Sequence, residues 1–249
     1  MCIRDRDKTK ILLGIDHFRE KYQLSFLQPV YTQQLSFIDD QVLKTTRLGA
    51  YLLQSLGESN YFGIRARVSY SGNFDGLIAT DPFYRQIRLS GIWGIKKRED
   101  LEWGIGLLYS NSFTRNIILP FFLYNRTYND RWGLEAAFPV SVLMRYNFNP
   151  RSLLLFGPEF SSASYALRSE DSLRDYYYNH AELNFGVKYE RQLTNWVWIN
   201  FFGGLQINFD SEFENTIDNT DLFEPDLITG AFFQIGLFLS PPEKEHKSH

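Results

Sequence analysis

The chain has 249 residues, 44% hydrophobic and 17% aromatic, with 26 Lys and Arg against 29 Asp and Glu and a formal net charge of -3. No basic patch stands out, which gives no reason to expect a nucleic-acid partner. The only cysteine, Cys2, excludes an internal disulfide, and no apolar run reaches the length of a membrane-spanning helix. The mean hydropathy of -0.30 suits a soluble protein and equally a β-barrel, in which only alternate residues meet lipid.

Residues 1–6, Met-Cys-Ile-Arg-Asp-Arg, read as a translated scar rather than native protein, so a native N-terminus and any signal peptide belong before residue 7. Residues 7–240 read as one domain, since no Pro-, Gly- or Ser-rich seam divides them, and residues 241–249 read as a charged tail.

In chain order, strand material begins at residues 10–27, with Ile11, Leu13 and Ile15 in step and Tyr22, Leu24 and Phe26 after them. Residues 17–20 interrupt it, which predicts a bulge or break. Residues 28–46 read as a polar connection and 47–56 as a weaker strand. After the turn at 57–60, Phe62, Ile64, Ala66, Val68 and Tyr70 alternate with Gly63, Arg65, Arg67, Ser69 and Ser71. A period of two is the signature of a strand, because successive side chains point to opposite faces. Residues 72–84 form a longer loop. Ile87, Leu89, Gly91, Trp93 and Ile95 then share a face, and beyond the charged turn at 97–100 so do Leu101, Trp103, Ile105, Leu107 and Tyr109.

Residues 117–160 carry the clearest pattern. Trp132, Leu134, Ala136 and Phe138 lie on one face, and Val140, Val142, Met144, Tyr146 and Phe148 repeat it, with turn residues at 127–130 and 149–151. Residues 152–168 are less regular because of Gly157-Pro158. The stretch 176–193 places Ala181, Leu183, Phe185, Val187 and Tyr189 against Glu182, Asn184, Gly186, Lys188 and Glu190. Val197, Ile199, Phe201, Leu205, Ile207 and Phe209 follow, then a long acidic connection at 211–225. The last strand lies within 227–239.

Short turns (57–60, 97–100, 127–130, 149–151, 193–195) alternate with longer connections (28–46, 72–84, 111–116, 169–175, 211–225). If Pro139 is a tight reversal the alternation is strict and the strand count reaches roughly 12, an even number. Short turns at one end and long loops at the other mark an outer-membrane barrel, as do Tyr and Trp near strand ends. The charges on the polar face are too numerous for a dry sandwich core. The expectation is all-β: a closed antiparallel transmembrane β-barrel of about 12 strands.

Residues 132–160, with their Leu-Glu-Ala-Ala-Phe-Pro step, the strand Arg145-Tyr146-Asn147-Phe148 and the following Gly157-Pro158-Glu159-Phe160, resemble a family of uncharacterised bacterial outer-membrane β-barrel proteins, known mainly as a domain of unknown function. The resemblance extends over about residues 10–240. It implies the outer membrane of a Gram-negative bacterium and carries over no catalytic residues.

The polar face supplies the candidate site. Arg65, Arg67, Arg88, Glu102, Glu135, Arg145, Glu182 and Lys188 are expected to line the lumen. They can line a permeation path or hold a ligand. The plainer reading, that Arg and Glu from neighbouring strands pair and fill the interior, is favoured because both signs are present and a barrel of this size is marginal for an open pore. His180 is the candidate catalytic residue, since barrel lipases and deacylases join a His to a Ser at the outer rim; no serine motif accompanies it, and an interfacial polar residue is the better account. His17 is weaker still. Asp218 and Asp221, in the acidic stretch 210–226, are candidate Ca²⁺ ligands, but their spacing matches no EF-hand loop and a solvated acidic loop explains them. No cofactor is expected.

The functional expectation is a non-enzymatic outer-membrane barrel, structural or porin-like, in contact with membrane lipid and lipopolysaccharide and open to small solutes. Two alternatives stand beside it: a lipid- or lipopolysaccharide-modifying hydrolase using His180, and a soluble β-barrel or sandwich that binds an apolar ligand.

Overall fold

The alternation of apolar and polar residues becomes one thirteen-stranded sheet. The computed structural model describes residues 9–21, 42–113, 115–169, 175–216, 221–223 and 229–239. The strands are β1 (Thr9–Lys21), β2 (Val42–Ser55), β3 (Asn60–Gly72), β4 (Arg85–Arg98), β5 (Leu101–Asn111), β6 (Asn116–Thr127), β7 (Trp132–Phe138), β8 (Ser141–Asn149), β9 (Ser152–Leu167), β10 (Tyr176–Gln192), β11 (Val197–Asn215), β12 (Asp221–Phe223) and β13 (Gly230–Leu239). Among the described residues there is no α-helix, only a 3-10 turn at Pro82–Tyr84. Consecutive strands pair antiparallel from β1 to β12, and β13 pairs with β11 below β12. The five tight connections, at 56–59, 99–100, 128–131, 150–151 and 193–196, therefore lie at one end of the sheet.

Pro139 does reverse the chain. β7 and β8 pair from Trp132 opposite Tyr146 to Ala137 opposite Ser141, and Val140 N–H donates to the Ala137 carbonyl at 2.7 Å. Three expectations need correction. Residues 17–20 do not break the first strand, because β1 keeps one register along β2, from Thr9 opposite Gln54 to Lys21 opposite Val42. Residues 42–46 are strand rather than connection, paired with β1 throughout and with β3 from Lys44 onward. The acidic segment starts later than expected, because β11 continues to Asn215 along β10; one bulge between Ala181 and Glu182 absorbs the extra residue. Tyr22, Leu24, Phe26, Asp218, the N-terminal hexapeptide and the C-terminal tail lie outside the described residues.

β7 and β8 are only 7 and 9 residues long, whereas β9 has 16. The β8–β9 pairing reaches no further than Ser141 opposite Glu159, so β9 rises past it with one edge free of β8. The last residue of β3 takes that edge: Gly72 pairs in parallel with Ala166. The bridge closes β3 to β9 into a seven-stranded ring, with the other strands continuing the sheet on either side. Gly72 has φ +153, and a Cβ there would stand 2.0 Å from the Ala166 carbonyl oxygen. Only glycine lets the two strands approach this closely.

The bridge is sealed on both sides at the long-loop end. On one side Leu43 of β2, Tyr165 and Leu167 of β9, Tyr178 of β10 and Phe213 of β11 are all buried. Tyr178 stacks on Phe213 with ring centroids 4.5 Å apart and on Tyr165 at 6.2 Å. On the other side the β3–β4 loop packs Phe74, Ala79 and Tyr84 against Ala166, with Phe83, Phe113 and Tyr177 around them. Tyr177 lies flat between Phe113, at 5.1 Å, and Phe83, at 5.7 Å. Arg168 ties the two layers. Its guanidinium pairs with Asp81 at 2.7 Å and covers the Phe83 ring at 4.9 Å, while Asn73 bonds its backbone in both directions.

Elsewhere, among the described residues, the apolar face of the strands is largely exposed. Leu13, Ile64, Leu89, Ile105, Phe185, Leu205, Phe233 and Leu237 are exposed, at alternate positions, on strands from β1 round to β13. Full burial of such side chains would contribute about 1.5–3 kcal/mol each.

Candidate functional site: two charged walls

The face opposite the exposed apolar residues holds the ionised side chains, and they divide into two walls. The first runs from β5 to β11, with one phenol reaching in from β3, and most of its charged groups bond within it. The Tyr61 hydroxyl of β3 donates to Glu102 of β5 at 2.5 Å, and Asn125 of β6 donates to the same carboxylate at 3.0 Å. Tyr61 reaches across β4 because Gly94 lies directly opposite it; a Cβ at Gly94 would strike the ring at 2.0 Å. Arg145 of β8 donates to Glu135 of β7 at 2.7 Å and to Thr127 of β6 at 2.9 Å. Lys188 of β10 meets Glu159 of β9 at 2.5 Å and lies over the Phe202 ring of β11 at 4.6 Å. Glu182 of β10 accepts from Ser161 at 2.7 Å, from Asn184 at 2.9 Å and from Gln206 of β11.

The second wall lies on β2, β3 and β4 and is basic. Arg67 stands directly opposite Arg88 across the β3–β4 pair. Arg65 is two residues further along β3, opposite Ser90, and Arg47 of β2 lies opposite Ser69. Arg67 feels the charges of Arg65, Arg47 and Arg88, and one carboxylate of opposite sign, Asp16 of β1. Asp16 lies opposite Arg47, whose guanidinium covers the Phe18 ring at 4.7 Å. Among the described residues none of these four arginines meets a carboxylate at ion-pair distance.

The interior pairing expected from sequence therefore holds for Glu135 with Arg145. Lys188 also pairs, but with Glu159, and Glu102 and Glu182 are satisfied by neutral donors. Arg65, Arg67 and Arg88 are not neutralised this way. Sequence reasoning missed Arg47, Asp16, Tyr61 and Glu159. The signal for Arg47 was present: Leu48, Ala50 and Leu52 alternate in phase with the other apolar faces and put Arg47 on the polar one.

His180 belongs to the aromatic seal. Its ring stacks on Tyr178 at 5.4 Å and on Tyr165 at 6.1 Å, its side chain is 9% exposed, and its Nε2 lies 3.9 Å from Glu182. Ser211, directly across on β11, directs its hydroxyl to Tyr178 at 3.4 Å. A buried ring on the polar face does not present a nucleophile's base to a lipid ester at the outer rim. His17 bonds Thr46 through Nδ1 at 2.8 Å. Asp221 begins the short β12, and among the described residues no group of His, Cys, Asp and Glu gathers to hold a metal.

Residues 87–238 match a family described as a domain of unknown function, DUF6268. The chain belongs to the DUF6268 family. The matched region runs from β4 to β13 and includes Arg88 and the charged residues of the paired wall, while Tyr61, Arg47, Arg65 and Arg67 lie ahead of it. No curated protein and no solved structure matches the chain.

Proposed function

We propose that the chain is a non-enzymatic outer-membrane β-barrel of a Gram-negative bacterium, with a structural or narrow, porin-like transport role. In this reading the twelve long strands, β1 to β11 and β13, close as one barrel through β1 and β13, with the charged walls lining its lumen. The observation that carries it is the exposure of apolar side chains at alternate strand positions, from Leu13 on β1 to Leu237 on β13, with the charges on the other face. Soluble monomers rarely expose apolar patches beyond a few hundred Å². In hydrocarbon such a surface costs nothing, while the strand ladders satisfy the backbone. Membrane lipid and lipopolysaccharide are then the contacts of the outer face. The long connections would face outward and the five tight turns the periplasm.

The packed long-loop end favours a structural or tightly restricted barrel over a wide pore. Fractionation after expression with a secretion signal tests the location. Release only by detergent, with a heat-modifiable gel mobility, is the expected result; recovery in the soluble fraction would favour the apolar-ligand-binding alternative instead. Planar-bilayer conductance of the refolded protein then separates a narrow pore from a sealed barrel.

A further inference from the structure

We propose that Arg47, Arg65, Arg67 and Arg88 form a binding site for a multiply charged oxyanion of the phosphate class. The proposal rests on reading the polar face as a water-filled lumen. Strands in a sheet lie about 4.8 Å apart, so four guanidinium groups on three adjacent strands converge on one small area. Like charges directly opposed across a strand pair oppose folding, and Arg67 faces Arg88 in this way.

The fold offers little to offset the repulsion. Asp16 supplies one negative charge to the group. The carboxylates of the other wall bond within it rather than to these arginines: Glu102 with Tyr61 and Asn125, Glu135 with Arg145, Glu159 with Lys188, and Glu182 with Ser161, Asn184 and Gln206, while Glu190 lies beside Lys188, Glu135 and Glu159. Among the described residues, four arginines and one aspartate leave this wall a local surplus of three positive charges, which one monovalent ion does not balance. A bisphosphate does, a phosphate dianion offsets most of it, and the oxygens of either match the two-pronged donor geometry of guanidinium. Ser69 opposite Arg47 and Ser90 opposite Arg65 add hydroxyl donors on the same face. Arg47 is braced for the task, because its stacking on Phe18 holds the guanidinium flat.

The ligand chemistry is that of a phosphate group, which can come from a free solute or from a lipid headgroup. The test titrates the refolded protein, in neutral detergent at constant ionic strength, with inorganic phosphate, then with a sugar phosphate, and in parallel with micelles doped with phosphatidylglycerol or phosphatidylcholine. Saturable binding of inorganic phosphate is expected, weakened roughly tenfold or more in Arg67→Gln/Arg88→Gln and unchanged in Lys97→Gln, which removes a positive charge at the exposed end of β4. Response to phosphatidylglycerol alone, lost in the same double variant, would assign the arginines to a headgroup. Equal binding by wild type and double variant, or a response to phosphate no greater than to chloride, overturns the site. If the double variant does not refold, the single Arg88→Gln and the phosphate-against-chloride shift in wild-type melting temperature decide the matter. The titration separates this proposal from the membrane reading: a soluble protein that binds phosphate retains the site and loses the barrel's location.

Discussion

The Tyr165 hydroxyl of β9 donates to the Glu20 carboxylate of β1 across 145 residues of chain, at 2.5 Å. This bond joins the first strand to the bridged strand and sits in the aromatic layer that seals the long-loop end. Tyr165→Phe keeps the stacking on Tyr178 and removes the donor. A buried hydrogen bond to a charged group contributes about 1.5–3 kcal/mol. The variant should lose stability of that order in denaturant unfolding, and trypsin should cut β1 sooner, after Arg19 or Lys21. A variant as stable as wild type would remove Tyr165 from the account of how β1 is held.

Gly72 sets the closure of the ring. Gly72→Ala places a methyl group against the Ala166 carbonyl at a backbone angle that L-residues avoid. The β3–β9 bridge should part and the loop seal loosen, at a cost of about 1–3 kcal/mol. If the proposed barrel conducts, single-channel recording should show longer or larger openings than wild type. Gly76→Ala is the matched control, since Gly76 also has positive φ but open space around its Cβ.

Asp81 makes the loop clamp pH-dependent. Its carboxylate accepts from Phe83 N–H at 2.9 Å and pairs with Arg168, and these two contacts hold it below the usual carboxylate range. A lowered folded-state pKa contributes stability that is fully present above the unfolded value, about 3.9, and is lost as pH falls through the folded one. Limited proteolysis of the β3–β4 loop should be slow at neutral pH and accelerate below about pH 4. In Asp81→Asn the acid-dependent part should vanish.

Face assignment predicts opposite responses to substitutions three residues apart on β10. Phe185 is 55% exposed on the apolar face. Phe185→Arg should cost roughly 2–4 kcal/mol of membrane insertion if the strand crosses at mid-depth. Glu182→Gln keeps an acceptor oxygen toward Ser161 and Asn184, and its NH2 bonds Gln206 once that amide flips to present its oxygen, so on the polar face it should leave insertion unchanged. Refolding into lipid vesicles measures both, and equal effects would refute the assignment of faces.

Gly94→Leu should displace the Tyr61 ring, which passes over β4 at that point. The Glu102 carboxylate then loses its phenol donor and keeps only Asn125. A loss of about 1–3 kcal/mol is expected, read as a lowered unfolding midpoint.

The amino-acid sequence by itself determined most of the strands and their phase, because these follow from local alternation and turn chemistry; the reversal at Pro139, conditional in the sequence, was decided by the pairing of β7 with β8. The apolar outer face and most members of the polar face were legible for the same reason: a period of two assigns every residue of a regular strand to a side. The limits were local as well. Residues 17–20 look like an interruption because they are polar, yet β2 alongside them holds the register. Only the tertiary structure decided what depends on strands far apart in the chain. Gly72 meets Ala166 because β7 and β8 end low and free an edge of β9, a relation between strand heights that no periodicity records. His180 became part of an aromatic seal because β9 and β10 carry Tyr165 and Tyr178 alongside it. The charges of the polar face, undifferentiated in the sequence, separated into a wall that pairs within itself and four arginines that do not, since pairing depends on which side chains the register sets opposite one another.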